Sequence, residues 1–517
     1  MKKLLCLLCL FPTLLSAQKQ LVRPEELVFN SEFEKQILTD HFTNQKTDYF
    51  KLFVANGAVL NENAINASRE KVHSFIATYN NDKFRAKKSD KKVKTLYSAV
   101  HETFLSKYEN KNRFEDIFDR GYYNCVSATA LYGIIFHELE IPFNIKESPD
   151  HVYLIAYPDQ ERVIVEATAP NLNFVTTINP QLKENFVKMM KAGKLISQSE
   201  ANSLSTDALF DKYYFRDQSN ITLLQLTGIQ YANDGLYLLE EKRFPEAFNQ
   251  FQKAYLFYPT ERNGYLSMVA GVQALTNHKR FDETHATLLG KLSRYDAYGI
   301  TAEMIKGDLQ NAIQEILFNK GEKELLSVYY DRLMHFITDA SLKSELDFNY
   351  NYELGRFYYN QARYREAMPY FENALTQKPN HLQATSIFIS TASSNFRNKP
   401  NSEVLSTLET YRERYPVLSQ NNIFNEMLSL AYLKEFQRYY EESDPANGEK
   451  YRLLFESFYK EHQDVELDHY SVGKSYGAAA AFFFKKGQQS KAKGVVMQGL
   501  TISPDNYELK MRSRMLN

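Results

Sequence analysis

The sequence predicts two kinds of structure in one chain, an α+β N-terminal domain followed by an all-α helical repeat. Three observations carry this reading. An apolar helical run from Cys125 to Leu139 is followed by two β-rich stretches, Val152–Tyr157 and Arg162–Thr168. Residues 18–120 show apolar positions at helical spacing, and from residue 226 onward small and aromatic residues recur in one fixed series of spacings.

The first 17 residues read as a secretory signal peptide. Lys2-Lys3 forms a basic start, Leu4 to Leu15 is apolar apart from Pro12 and Thr13, and Ser16-Ala17 ends in a small residue before polar Gln18-Lys19-Gln20. The apolar run is too short for an anchor helix, which needs about 20 residues. Cleavage after Ala17 leaves a chain exported to the periplasm or cell exterior, with no lipid and no integral membrane segment. Of three cysteines, Cys6 and Cys9 leave with this peptide and Cys125 remains. A single thiol in an oxidising compartment is either a reactive group or a buried, inert small hydrophobe.

Residues 18 to about 120 read as amphipathic helices over Glu32–Phe42, Ala64–Tyr79 and Lys91–Tyr108. In the last of these, Val93, Leu96, Tyr97, Val100, Phe104 and Leu105 fall on one face. The lysine-rich run Lys83–Lys94 reads as a solvated loop and helix start.

Residues 121–170 change character. Gly121 marks a break, Asn124 is a good N-cap, and Cys125 then sits in the first turn of a largely apolar helix with Val126, Ala130, Ile134 and Ile135. The positive end of the helix dipole and the unpaired first-turn N–H groups activate a thiol placed there. Glu140-Ile141-Pro142 ends the helix, and Pro158-Asp159-Gln160-Glu161 is a turn that joins the two β-rich stretches into an antiparallel hairpin. A turn centred between Asp159 and Gln160 sets Tyr153 opposite Glu166 and His151 on the diagonal, about 7 to 8 Å away at Cα. A turn centred between Pro158 and Asp159 sets His151 directly opposite Glu166. In both registers His151 and Glu166 share one face of the sheet.

Asn-Cys-Val-Ser-Ala-Thr-Ala-Leu-Tyr at 124–132, Asp-His-Val-Tyr at 150–153 and Val-Glu-Ala-Thr at 165–168 resemble the transglutaminase-like branch of the papain-like thiol enzymes. That family carries Cys at a helix N-terminus, His on a strand and Asp on the neighbouring strand, in this chain order. The resemblance implies Cys125 as nucleophile, His151 as general base and then acid, and Glu166 as the group that orients His151. Two positions depart from the pattern: Glu166 stands where Asp is usual, and Tyr153 where a Trp often follows the His. Asn124 is a candidate to polarise an acyl oxygen beside its N-cap role.

Residues 171–205 complete this first domain, with a loop over Asn171–Pro180, a helix over Gln181–Lys191 and a polar stretch after Gly193. Residues 206–225 read as a connector. From 226 to 517 the chain repeats. Tyr231, Gly235, Leu238, Ala247, Phe251, Ala254 and Pro259 are matched by Leu354, Gly355, Tyr358, Ala367, Phe371, Ala374 and Pro379, with the same spacings from the Gly onward. Tyr476, Ala480, Phe483, Ala492, Val496, Gly499 and Pro504 give a weaker third copy. The pattern resembles the tetratricopeptide repeat, a pair of antiparallel helices in which small residues allow close approach, and implies an all-α superhelix with a concave face for a protein or peptide. By length, about seven helix pairs of roughly 34 to 40 residues fit.

Lys and Arg number 62 against 63 Asp and Glu, so no net charge calls for a nucleic-acid or anionic-membrane partner. His278, His285, His335, His381, His462 and His469 lack metal-ligand spacing, and the chemistry expected at Cys125 uses no metal or organic cofactor. The expected activity is acyl chemistry at a peptide or amide bond, with water favoured over an amine as acceptor. The alternative is a non-catalytic protein-binding adaptor with an inactive transglutaminase-like domain.

Overall fold

The computed structural model describes residues 20–57, 62–149, 151–168, 175–192, 195–216 and 218–516. The segment read as a signal peptide lies outside the described residues. The chain divides into two compact units, Met1–Arg280 with Thr284–Thr301 and Phe281–Glu283 with Ala302–Asn517.

The first unit opens with α1 (Glu32–Phe42), α2 (Tyr49–Ala55), α3 (Glu62–Tyr79), the single turn α4 (Asp82–Arg85) and α5 (Ser89–Phe104). Two short strands, β1 (Lys107–Tyr108) and β2 (Tyr122–Tyr123), pair in parallel around α6 (Asp116–Arg120). Gly121 closes α6 in the left-handed conformation at φ 70°, which only glycine adopts without steric cost. Next comes α7 (Cys125–Glu138), buried from Val126 through Phe136. A helix apolar on every face must be covered on every face, and α7 packs against the sheet on one side and against α2, α3 and α11 (Leu223–Glu240) on the others. At Gly133 an added Cβ would lie 2.7 Å from the Leu223 side chain of α11, so this contact needs a glycine.

The sheet has the strand order β6-β5-β4-β3-β7, with all neighbours antiparallel. Its strands are β3 (Phe143–Ser148), β4 (His151–Ala156), β5 (Val163–Val165), β6 (Val175–Thr177) and β7 (Ser219–Ile221). Leu154, Ala156, Val163 and Val165 face the α7 core. Tyr153, Ile155 and Ile164 face a second, smaller core with Val187, Leu209 and Phe210, supplied by α8 (Pro180–Ala192) and α10 (Thr206–Tyr214), with the short α9 (Gln198–Ser203) between them. Burial on both faces explains why Val152–Tyr157 reads as an unbroken apolar run. Two expectations change. The hairpin is the centre of a five-stranded sheet, and residues 206–225 are no connector: they form α10, the edge strand β7 paired to β3, and the start of α11.

The helices of the first unit continue as α12 (Phe244–Phe257), α13 (Glu261–Asn277) and α14 (Glu283–Leu292). The second unit holds α15 (Ala302–Ile313), a π-helical turn over Gln314–Asn319, α16 (Lys323–Phe336), α17 (Ala340–Asn360), α18 (Tyr364–Gln377), α19 (Leu382–Asn395) and α20 (Asn401–Arg414). It closes with α21 (Asn422–Glu441), α22 (Pro445–Glu461), α23 (His469–Lys485), α24 (Gln489–Ile502) and α25 (Tyr507–Met515). From α11 to α25 the described residues form a run of successive helices, in which α11 packs on α12, α17 on α18, α21 on α22 and α23 on α24, a series like that of tetratricopeptide repeats. Four of the pairs turn in the same way: Lys242, Ala362, Ser443 and Gly487 are left-handed, each two residues before its second helix begins. The first two repeat copies read from sequence pack alike. An added Cβ at Gly235 would meet the Phe251 ring at 2.8 Å, and one at Gly355 would meet the Phe371 ring at 2.6 Å.

Candidate cysteine site

Asn124 caps α7 as its sequence requires. Its Oδ1 accepts from the Ser127 N–H at 2.9 Å, and its own N–H donates to Ser127 Oγ at 2.9 Å, a reciprocal capping box. Its Nδ2 donates to the backbone carbonyls of Asn110 at 3.1 Å and Asn112 at 3.3 Å. The amide group therefore ties the helix start to the segment 110–112, and both of its N–H bonds are engaged there rather than facing an acyl oxygen. The backbone N–H groups of the first turn remain the natural donors to such an oxygen.

Cys125 is the free cysteine of the described residues and is half-buried at the first position of α7. His151 opens β4, and the β4–β5 ladder pairs Leu154 with Val165 and Ala156 with Val163. This is the register with the turn centred between Asp159 and Gln160, so His151 reaches Glu166 on the diagonal. The longer Glu side chain spans it: His151 Nε2 lies 2.8 Å from Glu166 Oε2. The other carboxylate oxygen accepts from the Thr168 hydroxyl at 2.6 Å and the Thr168 N–H at 3.2 Å.

The imidazole is thus bonded to a carboxylate, and Cys125 is near enough to act on its charge. The effect of Cys125, then the bond with Glu166, outweigh partial burial and raise the His151 pKa to about 10. Burial pushes the Glu166 carboxyl up, but its bonds to His151 and Thr168 prevail and hold it below the ordinary value. A protonated imidazole beside a thiol sulfur, steered by a carboxylate, is the arrangement a cysteine nucleophile needs.

Several supporting groups were not singled out from sequence as parts of the site. The backbone around Glu166 is held from α5, where the Tyr97 hydroxyl donates to the Glu166 carbonyl at 3.1 Å and His101 Nε2 lies 3.3 Å from the Ala167 carbonyl. His101 Nδ1 in turn lies 2.8 Å from the Tyr132 hydroxyl of α7. Burial lowers the His101 pKa, which fits a neutral structural imidazole. The signal was present as Tyr97 and His101 four residues apart on one helix face, but Tyr97 reads there as a core position. Two tyrosine hydroxyls respond to the charge of the sulfur. The hydroxyls of Tyr108 and Tyr237 are raised above the ordinary value, first by burial and then by Cys125, Tyr237 to about 12. A cavity of about 260 Å³ is lined in part by Tyr237 with Lys111, Asn112, Arg113 and Asp234.

Among the described residues no group of three or more His, Cys, Asp or Glu side chains is placed to hold a metal ion. No helix among them is long and apolar enough to cross a membrane.

No protein-family model matches the chain, and no curated protein matches it. Among solved structures, a chain from the structure of Naa15/Naa10 bound to HypK-THB matches at 13% identity and a TM-score of 0.17, covering 65% of this chain and 62% of that one. The chain thus spans less than two thirds of the length of that protein, and the superposition is too loose to carry a function across.

Proposed function

We propose that the protein is a cysteine-dependent acyl enzyme of the transglutaminase-like type, acting on a peptide or amide carbonyl. The observation that carries this is the His151 imidazole bonded to the Glu166 carboxylate at 2.8 Å, with Cys125 at the start of α7 the first cause of its raised pKa. With the Cys125 proton held on His151, the thiolate attacks the carbonyl carbon, and the first-turn N–H of Cys125 faces the developing oxyanion. As the C–N bond breaks, His151 delivers its proton to the departing amine and is left neutral, with the acyl group on sulfur as a thioester. His151 then takes a proton from water as that water attacks the thioester. The acid departs, and the sulfur and the protonated imidazole are restored. Glu166 fixes the ring orientation in both halves.

The first 17 residues favour export, so the site works outside the cytoplasm. The helical repeat holds a protein or peptide, the common use of such stacked pairs.

The test is covalent labelling of Cys125 by a thiol-directed acylating probe in the mature protein and in His151→Ala. Loss of the base should slow labelling by about 100-fold or more. Equal rates in the two proteins would mean an ordinary thiol and would leave the adaptor reading, in which this domain binds without reacting.

A further inference from the structure

The helical repeat does not begin beyond the cysteine site; its first helices touch both halves of it. On the cysteine side, the Tyr237 hydroxyl of α11 donates to the Asn110 carbonyl at 2.7 Å. That same carbonyl accepts from Asn124 Nδ2 at 3.1 Å, so one oxygen joins the repeat helix to the cap immediately before Cys125. The join is reinforced on both sides by ion pairs, Lys111 with Glu240 and Arg113 with the buried Asp234. On the histidine side, the Tyr258 hydroxyl at the end of α12 donates to Glu147 Oε2 at 2.7 Å. Arg262 at the start of α13 adds a 3.4 Å bond to the Pro149 carbonyl. Glu147 pairs with Val152 across the hairpin that presents His151.

Cys125 and His151 lie on separate elements, α7 and β4, so their separation depends on how the start of each element is held. A tyrosine hydroxyl from the repeat acts beside each: Tyr237 on the Asn110 carbonyl that also takes the Asn124 cap, and Tyr258 on Glu147 of β3, the strand paired to the start of β4. We infer that Tyr237 and Tyr258 are positioning residues of the cysteine site, acting through Asn110 and Glu147 to keep the Cys125 sulfur on the His151 ring. The helical repeat therefore completes the site, and a reactive thiol–imidazole pair requires its first two helices. This inference rests on the pairing proposed above.

The experiment measures the rate of Cys125 alkylation by iodoacetamide at pH 7 and at pH 9 in the full chain. An ordinary thiol reacts about 25-fold faster at the higher pH, whereas a sulfur paired to an imidazole that stays protonated over this range changes by less than about threefold. Wild type should show the small ratio. Tyr237→Phe, which keeps the ring and loses only the hydroxyl, should raise it to about tenfold or more while far-UV circular dichroism stays unchanged. A purely structural role would lower thermal stability and leave the ratio small. Tyr507→Phe, on an exposed position of α25, serves as the control and should not move it. If Tyr237→Phe loses the fold, Tyr258→Phe carries the same test through the His151 hairpin. A small ratio in wild type and in both folded variants overturns this inference alone. A large ratio in wild type overturns the pairing, and this inference with it.

Discussion

At the scale of single residues, His151 is the group on which the site turns, and its charge has a defined pH range. Its folded pKa is raised from 6.5 to about 10. The stabilisation from its two bonds is therefore fully present below pH 6.5 and is lost as pH rises through about 10. Glu166 runs the other way. Its folded pKa is lowered, so its contribution is present above about 4.5 and is lost as pH falls through the lower folded value. Glu166→Gln should bring the His151 titration midpoint down, but not to 6.5, because the Cys125 bond is the larger cause. A ring-proton NMR titration reads this directly, and an unmoved midpoint would remove Glu166 as partner. The residue types and chain order of Cys125, His151 and Glu166 were legible in the sequence. The residues that hold them were not, because Tyr97, His101 and Tyr237 look like ordinary helix-face aromatics until the chain has folded.

At the scale of elements, several of the repeat pairs share one device, a missing Cβ opposite an aromatic ring. Gly235 faces Phe251 and Gly355 faces Phe371, and both were visible as equally spaced small residues. The α21–α22 pair uses the same device with the roles exchanged: Gly448 lies on the second helix and Tyr440 on the first, where an added Cβ would meet the ring at 2.5 Å. A search for fixed identities passes over it for that reason. Gly235→Ala and Gly355→Ala should each destabilise by about 1 to 3 kcal/mol through overpacking. Gly307→Ala and Gly494→Ala lie in helices with nothing within 4 Å of the new methyl, and should each stabilise by about 0.4 to 1 kcal/mol. Thermal unfolding of the four variants checks the sign, and a uniform effect across them would refute the packing account.

At the scale of the molecule, the division between the units falls at Thr301, well beyond the residue at which the repeat pattern begins. Buried ion pairs show why. Lys253 of α12 and Glu34 of α1 are both fully buried and bonded at 2.8 Å, and the buried Arg294 reaches Glu26 at 2.6 Å. Such pairs are costly to break from one side. A chain cut after residue 225 loses Lys253 and Arg294 together and exposes the α7 surface that α11 covers. It should fail to fold, while a chain cut after residue 301 should unfold in one cooperative transition. Calorimetry of the two fragments decides it, and a folded 18–225 fragment would show that the repeat is dispensable to the first unit.

The sequence by itself determined a capped helix starting at Cys125, a hairpin carrying His151 and Glu166 on one face, and a series of helix pairs from residue 226 on. Each of these is written in local periodicity and turn chemistry, which act over a few residues. Only the tertiary structure decided the hairpin register, the sheet around it and the joining of the first repeat helices to the cysteine site. Those depend on contacts between residues more than 100 positions apart, such as Tyr237 with Asn110 and Tyr258 with Glu147, and no local pattern specifies which half-buried tyrosine will meet which oxygen.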